Sequence, residues 1–286
     1  MSFPQTNRTY QIFSKAKAEG YAIGGYCVYN AEGVLAVIRA AERCRSPALI
    51  QVFPWTMHNQ GLPFVKFIVD AAHSASVPIA VHLDHCIQPA DVELALTFPF
   101  DSIMVDGSLF SEEENLKYVR DIVKRAAEKN ITIEAEIGRM EGCEDGLPDL
   151  GLDEILTSPD TVAHFIEETG VHYLAPSFGN VHGPYPPGGA EKWWQVDRLA
   201  GIHKAIPNIP LVLHGTHPLS DEMVKLSMTM GMVKINQNRT VRENYMKFIG
   251  ESSSKLELTK LQEQGIEIYS HEVERFMGVA GSVGKA

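Results

Sequence analysis

The chain has no hydrophobic run long enough to cross a membrane, and its first residues, MSFPQTNRTY, lack a charged segment followed by an apolar one. A membrane helix needs about 18 to 20 consecutive apolar residues, and a secretory signal needs that charged and apolar succession. We therefore expect a cytoplasmic protein with no membrane partner.

Cysteine and basic residues are also few, which argues against a secreted disulfide scaffold and against a nucleic-acid-binding protein. The 286 residues include only four cysteines, with no C-x-x-C spacing, which is not typical of a secreted disulfide scaffold, so we expect reduced thiols. Acidic residues outnumber basic residues, and the formal net charge is −11. A nucleic-acid partner usually requires a basic surface, so we expect none.

Short apolar runs rich in strand-forming residues alternate with longer amphipathic stretches. The runs span residues 21–28, 47–53, 78–83, 101–106, 131–137, 172–178, 209–214 and 232–237. Such alternation predicts parallel strands joined by helical crossovers. Eight units favour an α/β fold of the (β/α)8 TIM-barrel type. The alternative is an open doubly wound sheet, which usually carries a G-x-G-x-x-G turn that this chain lacks.

Helical periodicity marks residues 31–45, 62–75, 112–129, 159–169 and 220–230, and residues 239–263 resemble one long polar helix. No linker or repeat divides the chain, so we expect residues 1–286 to form a single domain. Segment 138–158 is acidic, rich in glycine and weakly periodic. Long loops of this kind are often functional, which predicts a mobile active-site loop.

Three histidines follow separate predicted strands: His85 in VHLDHC, His182 in NVHG and His214 in LVLHG. In a barrel of parallel strands these ends meet at one mouth. Three neutral imidazoles suit a catalytic zinc ion with an open position. Asp84 precedes one proposed ligand, where it could transfer a proton or orient a ligand histidine.

Glu134 and Glu136 alternate along EAEIG and therefore point to the same side of the predicted strand. A buried carboxylate pair is costly without a cation, so Glu136 is a candidate additional metal ligand. The alternative is a buried ion-pair network that includes Lys234. We interpret six other histidines as structural or exposed: His58, His73, His82, His172, His203 and His271.

The segments VHLDHC, EAEIG, GNVHG, LVLHG and GSVGKA occur in an order that resembles the class II fructose-bisphosphate and tagatose-bisphosphate aldolases over nearly the whole chain. The resemblance implies a TIM barrel that binds one Zn²⁺ per subunit through His85, His182 and His214, with Glu136 at an alternative metal position. It also implies a small-molecule substrate, a homodimer or homotetramer, and Na⁺ or K⁺ as a candidate monovalent cation.

The resemblance further assigns roles in catalysis. Asp84 would donate a proton to the aldehyde-derived oxygen, and Glu144 in GCEDG would transfer the proton of the donor's enolate. Asp106 and Glu134 would support the metal ligands. The matching loops supply a set of candidate substrate-binding residues: Gly183, Gly215, Thr216, His217, Asn236, Asn238 and Arg239.

The loops after strands 7 and 8 depart from the family pattern. HGTHP replaces the usual HG[AG]SG, so His217 and Pro218 stand where a serine and a glycine help hold the donor phosphate, and proline has no N–H to offer. Arg239 replaces a threonine; it could bind an anion or simply begin a surface helix. Asn180 replaces a small or hydroxylated residue.

These changes leave three hypotheses open. The first is a zinc aldolase whose donor differs from dihydroxyacetone phosphate, and the second is an ordinary fructose- or tagatose-bisphosphate aldolase. The third is a non-catalytic barrel that binds a ligand. The retained histidines favour the first two.

Overall fold

The computed structural model describes residues 2–140, 142 and 155–286. Its strands form one closed, parallel barrel in chain order, which confirms the predicted TIM barrel and excludes the open sheet. The strands are β1 (Ile23–Cys27), β2 (Ala48–Val52), β3 (Ile79–Cys86), β4 (Ser102–Val105), β5 (Thr132–Ile137), β6 (Tyr173–Pro176), β7 (Leu211–Leu213) and β8 (Met232–Gln237).

Helices surround the barrel in the described part of the chain. They are α1 (Arg8–Glu19), α2 (Ala31–Cys44), α3 (Pro54–Asn59), α4 (Gly61–His73), α5 (Pro89–Ala95), α6 (Glu112–Ala127), α7 (Val162–Thr169), α8 (Gly189–Trp193), α9 (Val196–Ala205), α10 (Asp221–Thr229), α11 (Arg239–Ser252) and α12 (Leu258–Val279). None of the described helices is both long and apolar enough to span a bilayer.

Every residue of the eight strands is buried, because helices cover the outer face and side chains fill the lumen. This two-sided burial explains why the strands appear in the sequence as continuous apolar runs. The barrel closes where β1 pairs with β8, with Gly25 opposite Asn236.

The lower end of the lumen is apolar and is closed by α1. Asn7 caps this helix by accepting a hydrogen bond from the amide of Tyr10, and Gly20 ends it in the left-handed conformation. Phe13 projects from α1 onto Tyr173, with ring centroids 4.7 Å apart. The lower lumen therefore forms a core cluster separate from the one between strands and outer helices.

The prediction of one helix over residues 239–263 is wrong. Residues 253–257 separate α11 from α12, and Glu257 precedes the second helix with an extended backbone. A run of three serines, Ser252 to Ser254, lies at the break, and serine is a weak helix former because its hydroxyl group can compete for backbone hydrogen bonds. The second helix then continues to Val279 and packs against α2.

Only the ends of the predicted loop 138–158 are described. Arg139 and Ile155 pair as an antiparallel bridge, and Gly142 pairs with the backbone of His182. The loop therefore leaves and rejoins the barrel beside the mouth. Residues 141 and 143–154 lie outside the described part, and with them most of the predicted mobile loop 138–158, including Glu144.

Candidate metal centre

Asp84 and His85 both face the barrel mouth although they are consecutive in β3. Regular alternation would send them to opposite faces. His85 instead adopts a left-handed backbone, with φ of 44°, and the pairing of β3 with β4 shifts register between Leu83 and Cys86. A bulge of this kind redirects a side chain, so the strand delivers a carboxylate and an imidazole to one site.

His182 and His214 come from the loop after β6 and from the residue after β7. Gly215 allows these two loops to approach each other: a Cβ at this position would lie 2.3 Å from the carbonyl oxygen of Val181, and its φ is 69°. A side chain would therefore push the two histidines apart.

The three imidazoles converge in the mouth. Their ring centroids are 4.5 Å apart for His85 and His214, 4.9 Å for His85 and His182, and 5.7 Å for His182 and His214. One nitrogen of each ring lies within 4.8 Å of the others, and His85 Nε2 is 2.7 Å from His214 Nδ1. Three strand ends that are far apart in sequence thus present nitrogen ligands to one point.

Carboxylates hold the outer nitrogens of two of these rings. Asp106 Oδ2 lies 3.0 Å from His85 Nδ1, and Glu134 Oε1 lies 3.0 Å from His214 Nε2. A carboxylate that accepts the outer N–H leaves the inner nitrogen free of hydrogen and able to bind a metal. Asp106 is itself held by the amide of Ser108, which donates to Oδ1.

The electrostatics of the cluster favour a cation among the rings. Burial lowers the pKa of His182 and His214, so these imidazoles stay neutral. Burial also acts to lower the pKa of His85, but the carboxylates of Asp84 and Asp106 outweigh it and raise the value to about 10. Two of the three rings are therefore neutral, whereas His85 holds a proton beside the carboxylates of Asp84 and Asp106. A divalent metal among the three rings would take the place of that proton, and nitrogen donors surrounded by carboxylates fit such an ion.

Glu136 lies beside this cluster on β5. A carboxylate oxygen, a nitrogen of His85 and an oxygen of Asp106 fall within 4.8 Å of one another. Glu136 Oε2 is buried and has no hydrogen-bond partner among the described residues. Burial, and then the charge of Asp106, raises the pKa of Glu136 well above its usual value. A buried carboxyl group with one oxygen that has no partner among the described residues fits a second metal position, where an ion would displace its proton.

Asp84 is completely buried and is held by three donors. Gln51 Nε2 and Asn236 Nδ2 donate to Oδ2 at 3.0 and 2.9 Å, and Lys234 Nζ lies 3.3 Å from Oδ1. Burial alone would raise the pKa of Asp84, but Lys234 and then His85 hold it well below the usual range. The carboxylate is therefore ionised at neutral pH.

The sequence prediction missed Gln51. Gln51 is a polar residue in the otherwise apolar strand β2. This polar position is the feature of the sequence that could have identified Gln51 as part of the site. Gly25 makes room for the amide, since a Cβ there would lie 2.3 Å from Gln51 Oε1 and 3.1 Å from Asn236 Oδ1.

The candidate substrate-binding residues divide into two groups. The first supports the backbone near the metal ligands: Thr216 Oγ1 donates to the carbonyl of Asn236, and the Gly215 carbonyl accepts from Tyr185 at 2.7 Å. Gly183 follows His182 with φ of 94°, and a Cβ there would meet no atom within 4 Å. Its backbone is therefore open on the side where a side chain would stand.

The second group forms a cationic side of the mouth. Arg239 begins α11 and pairs with Glu243 at 3.2 Å, with a side chain 56% exposed. Arg242, which the sequence prediction missed, lies over the ring of Tyr29 and donates to Asn238 Oδ1 at 3.1 Å. Both arginines act with burial to lower the pKa of the half-buried His217.

Asn180, one of the departures from the family pattern, lies inside the protein. It is fully buried, its Oδ1 accepts from the amide of Phe178, and its Nδ2 donates to the carbonyl of His214. Its role is to hold the two ligand-bearing loops together. The difference at Asn180 is therefore no evidence for an altered substrate.

His82 is buried below the cluster of His85, His182 and His214. Its Nδ1 lies 2.8 Å from Ser102 Oγ, and its Nε2 lies 3.0 Å from Lys234 Nζ. Outside the mouth, a ring nitrogen of His58, His73 and His271 lies within hydrogen-bond distance of a nearby carboxylate. None of these four rings belongs to the cluster of His85, His182 and His214.

Comparison with known proteins identifies the family. The family model described as fructose-bisphosphate aldolase class-II matches residues 7–285. A fructose-bisphosphate aldolase of Streptococcus pneumoniae is 34% identical over 95% of this chain and 96% of its own length. A sulfofructosephosphate aldolase of Alkalicoccus urumqiensis is 33% identical over 96% of each chain.

A solved structure is similar to this chain over nearly its whole length. A crystal structure from Coccidioides immitis, provisionally described as a fructose-1,6-bisphosphate aldolase, superimposes with a TM-score of 0.94. It shares 40% identity over 98% of both chains.

Proposed function

Because this chain belongs to the class II fructose-bisphosphate aldolase family, we propose that it is a zinc-dependent aldolase whose donor differs from dihydroxyacetone phosphate. The reaction would be the reversible cleavage of a ketose phosphate or a related hydroxy-keto compound. One observation carries the proposal: three imidazoles converge beside the ionised Asp84.

His85, His182 and His214 would hold the metal, and Glu136 would serve an alternative position. Three imidazole nitrogens and the surrounding carboxylates suit zinc, which would displace the proton of His85 on binding. When bound, a divalent ion polarises the carbonyl of the donor and stabilises the negative charge that develops during cleavage. Asp106 and Glu134 would keep the inner nitrogens of their histidines available.

Asp84 would move the proton on the other half of the substrate. During cleavage its carboxylate accepts the proton of the hydroxyl next to the breaking carbon–carbon bond. In the condensation direction the same group, once protonated, returns the proton to the aldehyde-derived oxygen. Its full burial and fixed orientation favour such a transfer, since a positioned acid or base needs no rearrangement before it reacts. Glu144 would act on the carbon side of the donor.

The donor specificity is inferred from the loops after β7 and β8. Pro218 has no N–H, so a phosphate would lose one backbone donor there. His217, Arg239 and Arg242 instead bring cationic or donor side chains to this side of the mouth. We infer that the donor carries a carboxylate or another small polar head group, held by side chains instead of a nest of amides.

The test is a cleavage assay on a panel of substrates with the zinc-loaded protein. The panel contains fructose 1,6-bisphosphate, tagatose 1,6-bisphosphate and hydroxy-keto acids. We expect a hydroxy-keto substrate to be preferred, activity to vanish on treatment with a chelator, and zinc to restore it. Efficient release of dihydroxyacetone phosphate from either bisphosphate would refute the altered donor. A protein that takes up no zinc and, after incubation with zinc, cleaves no substrate of the panel would refute the aldolase itself.

A second candidate is an ordinary fructose- or tagatose-bisphosphate aldolase. The similarity to chains named fructose-bisphosphate aldolase favours it. In this case Arg239 would replace the phosphate contacts that Pro218 removes. The same assay separates the two candidates, because only the ordinary enzyme produces dihydroxyacetone phosphate.

A further inference from the structure

Lys234 is a fully buried lysine at the centre of the barrel lumen. Its Nζ lies 2.7 Å from Glu134 Oε2, 3.0 Å from His82 Nε2 and 3.3 Å from Asp84 Oδ1. An ammonium group has three N–H donors, and each of them has one acceptor here. The cation is therefore held in a single orientation.

The three contacts also fix the state of His82. An ammonium group can only donate, so His82 Nε2 must accept, and the ring hydrogen lies on Nδ1, which donates to Ser102 Oγ at 2.8 Å. Burial and then the charge of Lys234 lower the pKa of His82, which agrees with a neutral ring.

Lys234 connects the two halves of the proposed reaction. Glu134 contacts Lys234 through Oε2 and His214 through Oε1, 3.0 Å from Nε2. Asp84 contacts Lys234 through Oδ1, while Gln51 and Asn236 occupy Oδ2. One ammonium therefore holds both the proton-transfer group and the carboxylate that orients a metal ligand.

Packing alone does not explain a charged group at this position. Replacing a buried ion pair by apolar side chains of similar volume is often neutral or stabilising. The layer of the lumen directly below is built in that way, from side chains such as Leu49, Met104 and Val212. The charge on Lys234 therefore points to a role in the site above it.

We propose that Lys234 is a positioning residue: its ammonium fixes Asp84 for proton transfer and, through Glu134, fixes His214 for metal binding. The proposal rests on the proposed aldolase function. It differs from a structural role because it requires turnover and metal retention to fall together, beyond what lost stability would explain.

The test compares Lys234→Met with Val233→Ala. Val233 is the preceding residue of β8 and is buried in the apolar cluster of the lower lumen. Both changes lower the melting temperature. We expect Lys234→Met to lower kcat about 100-fold with KM nearly unchanged, and to lose zinc at about a 10-fold lower chelator concentration. Val233→Ala should change neither quantity.

Lys234→Arg, which keeps a buried cation with several donors, should recover part of both losses. If Lys234→Met does not fold, Lys234→Gln, which is neutral but still donates, takes its place in the same measurements. A folded neutral variant with the kcat and zinc retention of Val233→Ala would overturn the proposal. Zinc retention is measured without substrate, so a failure of the proposed aldolase activity remains distinguishable from a failure of the role of Lys234.

Discussion

The two ends of the barrel lumen are built from the same eight strands but differ in chemistry. Along β3 the inward residues change from Ala80 to His82 and then to Asp84. The lower end holds apolar side chains closed by α1, whereas the upper end holds an ammonium, several carboxylates and three histidines within a few ångströms. The lumen thus separates an apolar layer from a charged layer along its axis.

We infer from this difference that the lower end mainly stabilises the fold and that the upper end mainly carries the chemistry. Apolar burial at the lower end stabilises the fold by roughly 25 cal/mol for each Å² removed from water. Burial of charges at the upper end costs free energy unless each charge is paired. Changes at the upper end should therefore affect turnover more than stability, and changes at the lower end should do the reverse.

The largest expected effect is at Asp84. Asp84→Asn keeps the shape of the side chain but removes the carboxylate that takes the proton. We expect kcat for cleavage to fall by roughly 10²- to 10⁴-fold, which equals about 2.7–5.4 kcal/mol of transition-state stabilisation. The measurement is steady-state cleavage by the zinc-loaded protein.

The fold should tolerate this change. The new amide oxygen can still accept from Lys234. Gln51 Oε1 and Asn236 Oδ1 have no partner among the described residues, so either amide can turn to accept from the new NH₂ group. Zinc content and melting temperature should stay close to those of the unmodified protein. An unchanged kcat would remove Asp84 from the mechanism and would leave the upper end without its proton-transfer group.

The barrel itself was predictable because each strand is buried on both faces and therefore appears as an apolar run. The eight runs, the crossover periodicity and the histidines at strand ends were sufficient for the fold and for the place of the site. The continuous helix predicted for residues 239–263 is wrong because hydrophobic periodicity alone takes no account of weak helix formers such as Ser252 to Ser254.

Other features of the site depend on the three-dimensional path of the backbone, which the hydrophobic periodicity of the sequence does not reveal. The prediction that two consecutive residues, Asp84 and His85, would act together contradicts strand alternation and needs the left-handed backbone of His85. Arg242 reaches the mouth only because α11 begins at Arg239 and brings its next turn over Tyr29. Residues distant in sequence, such as Gln51 and Lys234, join the site through the closure of the barrel.

The lower end is tested with Phe13→Ala. The substitution leaves a cavity between α1 and Tyr173, and the loss of a buried phenylalanine typically costs about 3–5 kcal/mol. In a chain of this size the melting temperature should fall by on the order of 10 °C. We expect kcat at a temperature below the transition to stay within about two-fold of the unmodified value, because the charged layer lies at the other end. A parallel loss of kcat would show that the two ends are coupled.

The smallest effect concerns pH at the lower end. Burial lowers the pKa of His172 to about 4, and its Nδ1 accepts a hydrogen bond from the amide of Ile133 at 3.0 Å, which a protonated Nδ1 could not do. The unfolded chain binds this proton near pH 6.5, so the folded protein is favoured fully above pH 6.5 and loses this advantage as the pH falls towards 4. The full shift corresponds to roughly 3 kcal/mol, and partial exposure of the ring reduces it.

His172→Gln removes the titrating group but keeps an acceptor for Ile133. Denaturant unfolding of the variant between pH 4 and 7 should therefore show a flatter loss of stability than the unmodified protein shows. Because His172 lies away from the mouth, the pH dependence of kcat should be the same in both proteins. If the stability curves were parallel, the ring would titrate alike in the folded and unfolded chains, and the lower end would add nothing to the acid sensitivity of the fold.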